Sequence, residues 1–338
     1  MYRKPVGEVA GRLSHSDRIE STLDRGVQGF RGDPVSKSWR RSAVDHHIDP
    51  DSRTLPHIVT DSELKTSREP LDNIIFQAQE EMDRLYAIVR HSGYVVLLCN
   101  IQGIAIHHRG NEAMSDRFKH WGTWVGGVWS EEVEGTNGIG TCIAEQRPIS
   151  VHLDQHFRSR HVGLSCAGAP IFDANGTLVA MLDTSSIVPE MADQSHALAL
   201  AATITAARAI EERLFRECFH DIWIIAAVPC DESGPAILLA VDRDQRIVGA
   251  DRVARTICAF DDQLLNRGVH LSTVFEQSPS IVLRNDGEDI AVRLLRVHVT
   301  GARRVLGEPQ AVSKASRWCG RSDCSFPRRL RAHCDGPP

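Results

Sequence analysis

The stretch EEVEGTNGIGT, residues 131–141, places three glycines, an asparagine and two threonines between an acidic run and an apolar run. Thr136 or Asn137 can cap a helix over residues 138–146 through its side-chain oxygen. The two glycines at the start of that helix would let it approach a sheet closely. The stretch therefore predicts a capped helix that packs on a sheet.

A glycine-rich loop that opens a helix can also bind a phosphate with its backbone N–H groups. Here the loop contains no lysine, no ribose-binding acid follows it, and no βαβ unit surrounds it. The P-loop pattern, GxxxxGK followed by serine or threonine, occurs nowhere in the sequence. These observations argue against a nucleotide-binding loop and favour the helix cap of a sensor domain.

The composition is typical of a soluble globular protein, with 42% hydrophobic and 25% charged residues in a chain of 338. This length suggests about two domains. The formal net charge of -5 is spread along the chain, so no block of charge indicates nucleic acid or a membrane. We find no signal peptide and no apolar run of roughly 18 residues, and we expect a cytoplasmic protein.

Nine cysteines stand singly in the sequence, several of them in apolar surroundings. In a reducing compartment this pattern is typical of small buried residues rather than of a disulfide framework. Cys142 and Cys166 would act as redox sensors only if they were exposed and made acidic by a neighbouring cation or helix N-terminus.

Three pairs of β-rich runs share one pattern, in which a short polar turn joins two apolar segments. The turns occupy residues 100–103, 173–176 and 242–245, and their residue types suit tight turns. Another short strand is predicted over residues 149–152. Hairpins of one style predict antiparallel sheets in tandem α+β units.

Helices are predicted around these hairpins. Residues 61–93 and 195–219 each carry an apolar stripe at helical spacing, and the second helix would connect the two domains. Upstream, Pro34 can open a short helix that carries Trp39. From about Ala302 the sequence is rich in arginine and cysteine, and its apolar residues follow neither a helical nor a strand periodicity. We therefore expect little stable structure there.

Two groups of residues contain the side-chain types of a metal site, at spacings that match no zinc signature. The first group is His152, His156 and His161, with Cys166. The second group is Cys319, Cys324, His333 and Cys334. A different kind of cluster consists of Trp121, Trp124 and Trp129. Its rings either line a pocket for a planar ligand or pack in the core.

Several motifs, in this order, resemble one family. WSEEVEGTNGIGTCIAEQRPISVHLDQHF, followed by LSCAGAPIFDANGTLVAMLDTSS, resembles the GAF domain of sigma-54-dependent transcriptional activators of the acetoin catabolism regulator type. The upstream motifs DPVSKSWRRS and IDPDS resemble the N-terminal segment of that family, so the resemblance covers about residues 33–219. The stretch AILLAVDRDQRIVGADRVARTICAFDDQLL is similar to the start of a PAS-like domain.

The resemblance implies a sensor region. In the family such regions precede an AAA+ ATPase and a C-terminal helix-turn-helix, and the sequence shows the motifs of neither. Two accounts stay open: a stand-alone sensor that regulates through protein contacts, and a gene truncated or frameshifted after about residue 301. We favour the second.

The predicted fold class is α+β: a GAF domain with an antiparallel sheet flanked by helices, then a smaller PAS-like α+β domain and a poorly ordered tail. The predicted divisions are a helical N-terminal segment (1–70), the GAF domain (71–218), the PAS-like domain (219–300) and the irregular tail (301–338).

The predicted function is that of a small-molecule-sensing transcriptional regulator without enzymatic activity, in which an effector shifts the population between two packings of the helices. We expect the effector in the GAF pocket, a homodimer, a partner in the transcription machinery and no membrane. No DNA-binding domain is recognised, and no pattern names a cofactor. The candidate ligand-binding residues are Trp129, Thr136, Asn137, Thr141, His156 and Cys166.

Three alternatives stay open. A small GAF-type redox enzyme or a metal-dependent sensor would use Cys142, Cys166 or the loop with His152, His156 and His161. A DNA-binding regulator would act through the basic tail.

Overall fold

The structure is a computed structural model that describes residues 14–24, 33–227 and 236–274. The predicted tail over residues 301–338, with the cysteine and histidine group around Cys319, lies outside the described residues.

The chain divides into two compact units. The first comprises the residues up to Phe172 together with Leu178–Glu211, and the second comprises Asp173–Thr177 together with the residues from Glu212 onward. The domain boundaries given above stay predictions.

A five-stranded antiparallel sheet forms the centre of the first unit. Its strands are β1 (Tyr94–Asn100), β2 (Ala105–Arg109), β3 (Ile149–His152), β4 (Ser165–Phe172) and β5 (Leu178–Ser186). The order across the sheet is β2-β1-β5-β4-β3, and every neighbouring pair is antiparallel. The first two predicted hairpins, β1–β2 and β4–β5, are confirmed.

Helices precede this sheet in sequence, lie between its strands and follow it. They are α1 (His15–Asp24), α2 (Pro34–Arg40), α3 (Asp61–Arg68), α4 (Asp72–Val89), α5 (Ser115–Trp121), α6 (Glu131–Glu134), α7 (Gly138–Glu145) and α8 (Pro189–Cys218). α2 begins where the Asp33 side chain accepts hydrogen bonds from the backbone N–H groups of Val35 and Ser36. It continues as a π-helical turn, Arg41–Asp45. α8 begins before the predicted residue 195, and its residues belong to both units.

The long helix predicted over residues 61–93 is divided in the structure. A 3₁₀ turn, Glu69–Leu71, separates α3 from α4. Pro70 lies in that turn, and the helix breaks there because proline has no N–H to donate to the preceding turn. The predicted apolar stripe is correct for α4, whose buried residues include Ile75, Ala78, Met82, Leu85 and Val89.

The two faces of the sheet have different neighbours. Leu97 of β1, Asp183 of β5 and Gly168 of β4 are paired in register and therefore share one face. α7 packs on β3, β4 and β5, and a Cβ on Gly138 would meet the Asp183 carboxylate, so α7 covers this face. We call it the α7 face. The opposite face carries Thr184, whose hydroxyl is 2.9 Å from that of Thr203 in α8.

The second unit contains an antiparallel sheet of four strands in the order β6-β7-β8-β9. The strands are β6 (Trp223–Ala227), β7 (Ile237–Val241), β8 (Arg246–Ala250) and β9 (Val269–His270). Its helices are α9 (Arg252–Cys258), α10 (Asp262–Arg267) and α11 (Leu271–Val274). The third predicted hairpin, β7–β8, is confirmed, and the α+β class holds for this unit; β6 was not foreseen.

Among the helices of the described residues, none combines the length and the apolar character that crossing a membrane requires.

Replacing Gly140 with alanine tests the close approach of α7. A Cβ at this position would lie 2.6 Å from both the backbone N of Glu131 and the carbonyl O of Trp129. Helix propensity alone would favour alanine by about 1 kcal/mol. We expect instead that Gly140→Ala lowers the free energy of unfolding by about 1–3 kcal/mol, because backbone atoms cannot make room cheaply.

Urea unfolding measures this change. Gly163→Ala is the matched control, since its Cβ would meet only the Trp121 ring, at an ordinary 3.4 Å. Equal stability of the two variants would contradict the inferred packing of α7.

Candidate functional site

Asn137 caps α7 and fixes the loop in front of it. Its Oδ1 accepts from the backbone N–H groups of Ile139 (2.8 Å) and Gly140 (2.9 Å), and its Nδ2 donates to the carbonyls of Trp129 (2.9 Å) and Gly135 (2.8 Å). These bonds use both donors and both acceptor positions of the amide. Of the two caps that the sequence allowed, the structure therefore has Asn137, with its hydrogen-bonding capacity satisfied within the chain.

A buried group of hydroxyls lies at the other side of the same loop, and its centre is Ser38 of α2. The Ser38 Oγ is 2.5 Å from Glu131 Oε1, 2.7 Å from Thr136 Oγ1 and 2.9 Å from Thr141 Oγ1. Ser38, Thr136 and Thr141 are fully buried. We call these four residues the hydroxyl cluster. Because an ionised carboxylate can only accept, Ser38 donates its proton to Glu131.

Arg41 neutralises Glu131. Its Nε donates to Glu131 Oε2 at 2.7 Å and its Nη2 donates to Oε1 at 2.9 Å, while Nη1 donates to Glu145 at 2.6 Å. Burial alone would raise the pKa of Glu131, but hydrogen bonds from Arg41 and Ser38 outweigh it and the pKa is lowered. The carboxylate at the hydroxyl cluster is therefore ionised and paired.

A second polar group extends from the loop after β3 into the α7 face. His156 Nδ1 is 2.9 Å from the carbonyl of Leu153, and Nε2 is 3.3 Å from Cys166 Sγ. A carbonyl can only accept, so Nδ1 carries the proton and Nε2 accepts from the thiol. Burial lowers the pKa of His156 to about 4, which keeps the imidazole neutral at pH 7.

Asp183 ends this group deep in the sheet. Ser185 Oγ is 3.2 Å from Cys166 Sγ and 2.5 Å from Asp183 Oδ2. Burial raises the pKa of Asp183 to about 7, partly offset by the hydrogen bond from Ser185. With a proton on Oδ2, one directed chain is possible, in which Asp183 donates to Ser185, Ser185 to Cys166, and Cys166 to His156.

Sequence reasoning missed Asp183 as well as Ser38. The available signal for Asp183 was an acidic residue directly after the apolar run LVAML, at a position where strand alternation points inward. Its Oδ1 has no hydrogen-bond partner in the described part of the chain. An acid with an unpaired oxygen in a core is costly when ionised, which agrees with its raised pKa.

The predicted tryptophans lie in or beside the core. Trp129 donates from Nε1 to the carbonyl of Gly122 at 2.8 Å, and its ring centre is 5.0 Å from that of His161. Trp124 packs on His108, with 4.1 Å between ring centres. Both Trp124 and Trp129 are buried. The structure thus brings Trp129, Thr136, Asn137, Thr141, His156 and Cys166 together around α7.

The three histidines of the predicted metal loop do not converge on one point, although the ring centres of His156 and His161 are 6.2 Å apart. His152 Nδ1 is 2.7 Å from Ser165 Oγ, and His161 Nε2 is 3.7 Å from Glu134 Oε2. Burial lowers the pKa of His161 well below its ordinary value. Over the described ranges, no group of three histidine, cysteine or acidic side chains is arranged to hold a metal ion.

Comparison with known proteins identifies the class. Residues 77–211 match the GAF domain family, so the chain contains a GAF domain. The fold resembles a solved structure, the E. coli DhaR(N)–DhaL complex, with a TM-score of 0.51 and 13% identity over 70% of this chain and 82% of that one.

Several curated relatives of the chain are named as transcriptional regulators. It is 33% identical to the acetoin catabolism regulatory protein of Cupriavidus necator over 75% of this chain and 36% of the relative. It is 26% identical to the propane 2-monooxygenase operon transcriptional activator MimR of Mycolicibacterium smegmatis over 53% of this chain and 29% of the relative. The chain thus spans about a third of these relatives, and the resemblance drawn from its motifs is confirmed.

The pKa of Asp183 predicts a pH dependence of stability. Its folded value, about 7, lies above the ordinary 3.8. Between these pH values the unfolded chain releases a proton that the folded chain retains, so stability falls as pH rises from about 4 to 7 and then levels off. The loss is at most roughly 4 kcal/mol.

Asp183→Asn should remove this part of the pH dependence, because an amide keeps a donor for Ser185 and does not ionise. Urea unfolding at pH 5 and pH 8 measures it, with the exposed Asp116→Asn as control. If the stability of Asp183→Asn has the same pH dependence as the parent, the protonated carboxyl is excluded.

Thiol alkylation tests the redox alternative. Cys99, Cys142 and Cys166 are buried, and burial raises the pKa of all three. We expect iodoacetamide to label them at least about 100-fold more slowly in the folded protein than in urea, as read by peptide mass mapping. The exposed Cys218 is the internal control. Rapid labelling of Cys142 or Cys166 in the folded protein would favour a redox role.

Proposed function

We propose that the chain is the signal-input region of a transcriptional regulator, in which a small effector binds at the α7 face of the GAF domain. The observation that supports this is the amount of polar chemistry buried there: the hydroxyl cluster on one side of α7 and the His156–Asp183 chain on the other. A domain that needed only a core would gain more from apolar side chains at these positions.

The effector is small, neutral and polar. Glu131 is paired with Arg41, His156 is uncharged at pH 7, and burial raises the pKa of Asp183 to about 7, so that its neutral form is favoured below that pH. A charged effector would bring an uncompensated charge into a buried site, which is costly. The regulators of acetoin catabolism and of a propane 2-monooxygenase operon among the relatives concern small neutral compounds.

The candidate residues divide by the hydrogen-bonding capacity left to them. The Asn137 amide uses all of its hydrogen-bonding capacity on the loop and on the start of α7. It therefore shapes the site without contacting the effector. Thr136, Thr141, His156 and Cys166 supply hydroxyl, imidazole and thiol groups that can exchange partners. Trp129 supplies an apolar wall.

Strand β5 transmits the signal. Asp183 and Ser185 point to the α7 face, and Thr184 between them points to the other face and meets Thr203 of α8. A change in packing at the effector site therefore reaches α8 within one residue of β5. By favouring one packing over another, the effector shifts the population that α8 reports.

The regulator acts as a homodimer in the cytoplasm and through contacts with the transcription machinery, without an enzymatic step. Leu198 and Ile204 on α8 are 63% and 38% exposed, and Phe76 on α4 is 69% exposed. Apolar side chains on two helices of one domain suit a helical interface with a second copy.

Native mass spectrometry and calorimetric titration test this proposal. With acetoin, a neutral hydroxyketone, as the probe, we expect one molecule bound per chain and a dimer in the mass spectrum. His156→Phe should weaken binding at least about tenfold by removing a buried polar partner. His120→Phe, an exposed histidine of α5, should leave binding unchanged.

The proposal fails if the purified protein retains no small molecule and if neither acetoin nor a panel of other small neutral alcohols and ketones binds. Equal weakening by His156→Phe and His120→Phe would place the binding site elsewhere.

A further inference from the structure

The α7 face is completed by residues that lie outside the GAF match. The match begins at residue 77. Ile19 of α1 and Val35 and Trp39 of α2 nevertheless belong to the same buried core as Cys142 and Cys166. The chain's own upstream segment thus fills the space against this face.

The upstream segment also makes specific polar contacts with the loop that carries His156. Trp39 Nε1 donates to the carbonyl of Gln155 at 2.7 Å, and His15 Nε2 is 2.9 Å from the carbonyl of His156. Arg18 pairs with Asp154 at 2.5 Å. Side chains of both α1 and α2 therefore hold the segment in one register over the loop.

Ser38 occupies a position built to recognise a hydroxyl. Its oxygen lies between a carboxylate that needs a donor and the hydroxyls of two threonines, one of which, Thr141, can donate in return. This arrangement satisfies a group that both donates and accepts. It would serve the hydroxyl of a small molecule in the same way.

We propose that α2, residues 34–40, is an intramolecular plug, and that the effector is a small neutral hydroxy compound whose hydroxyl replaces that of Ser38. This inference rests on the proposed function and adds the class of effector and the manner of its regulation. Binding moves α2 off the α7 face, so the upstream segment becomes the first element to respond.

The hinge of this movement lies at the π-helical turn Arg41–Asp45. Arg41 sits at the rim of the site, where its side chain is 26% exposed, and it stays paired with Glu131 and Glu145 when α2 moves. A π-helical turn contains one residue more than an α-helical turn and interrupts the regular hydrogen bonding of the helix. Such turns often occur at functional sites. Glu131 thus keeps its counter-ion in both states.

The effector binds only molecules in which the plug is open. Its apparent affinity is therefore the intrinsic affinity multiplied by the open fraction. Ser38→Ala removes the plug's hydroxyl but none of the effector's contacts. The closed state then loses a hydrogen bond to a charged group while the bound state loses nothing. We therefore expect Ser38→Ala to tighten binding about tenfold.

Titration with acetoin, with butan-2-one as a probe that lacks the hydroxyl, tests the inference on the full chain. We expect butan-2-one to bind at least about tenfold more weakly than acetoin. Ser36→Ala is the matched control, since Ser36 lies on the same helix and donates to Asp33 at 2.5 Å, away from the hydroxyl cluster. Its affinity should equal that of the parent.

Hydrogen–deuterium exchange of the unmodified chain gives a second readout that does not depend on a variant. On saturation with acetoin, amides of residues 34–40 should exchange at least about tenfold faster. Binding of acetoin with slower or unchanged exchange of this segment, or with unchanged or weaker affinity in Ser38→Ala, overturns the plug and leaves the proposed function standing. Absence of binding in both the parent and Ser38→Ala overturns the hydroxy-compound effector and the plug together.

Discussion

The amide of Asn137 is the constraint on which the site depends. Its four hydrogen bonds join the start of α7 to the carbonyls of Trp129 and Gly135, so one side chain sets both the helix and the loop before it. The close packing of α7 follows, because Gly138 leaves no room for a Cβ against the sheet and Gly140 leaves none against the backbone of the loop before the helix. With α7 fixed in this way, Thr136 and Thr141 face Ser38 rather than solvent.

Two buried polar groups flank α7, and they tolerate burial for different reasons. The hydroxyl cluster contains a full charge on Glu131, stabilised by the two hydrogen bonds of Arg41. In the chain from Asp183 to His156, burial lowers the pKa of the imidazole to about 4, so His156 is neutral at pH 7, and raises the pKa of the acid to about 7, so Asp183 is mainly neutral only below that pH. The face that carries them is therefore polar, and the carboxylate of its hydroxyl cluster is paired with Arg41.

Local chemistry made the hairpins and α7 predictable, because a turn or a cap is specified by residues a few positions apart. The break at Pro70 was also readable in principle, although the apolar stripe across it suggested one helix. Ser38 was not predictable as a site residue. It is 93 positions from Glu131, and a serine in SWRRS carries no mark of its partner. The role of Asp183 was equally hard to predict. Its position in β5 could be predicted from the sequence, but its raised pKa depends on the burial that three strands and α7 create together.

The alternation of β5 gives the site a direct physical route to the rest of the chain. Asp183 and Ser185 belong to the polar chain on the α7 face, and Thr184 between them holds Thr203 of α8 on the other. Further along α8, Glu211 accepts from the backbone N–H of Phe172, at the end of β4. Because a strand moves as a unit, a displacement of β5 that relieves the α7 face cannot leave α8 unchanged. A link between the two faces therefore needs no long pathway, because the polar chain of the α7 face and the contact with α8 use adjacent residues of one strand.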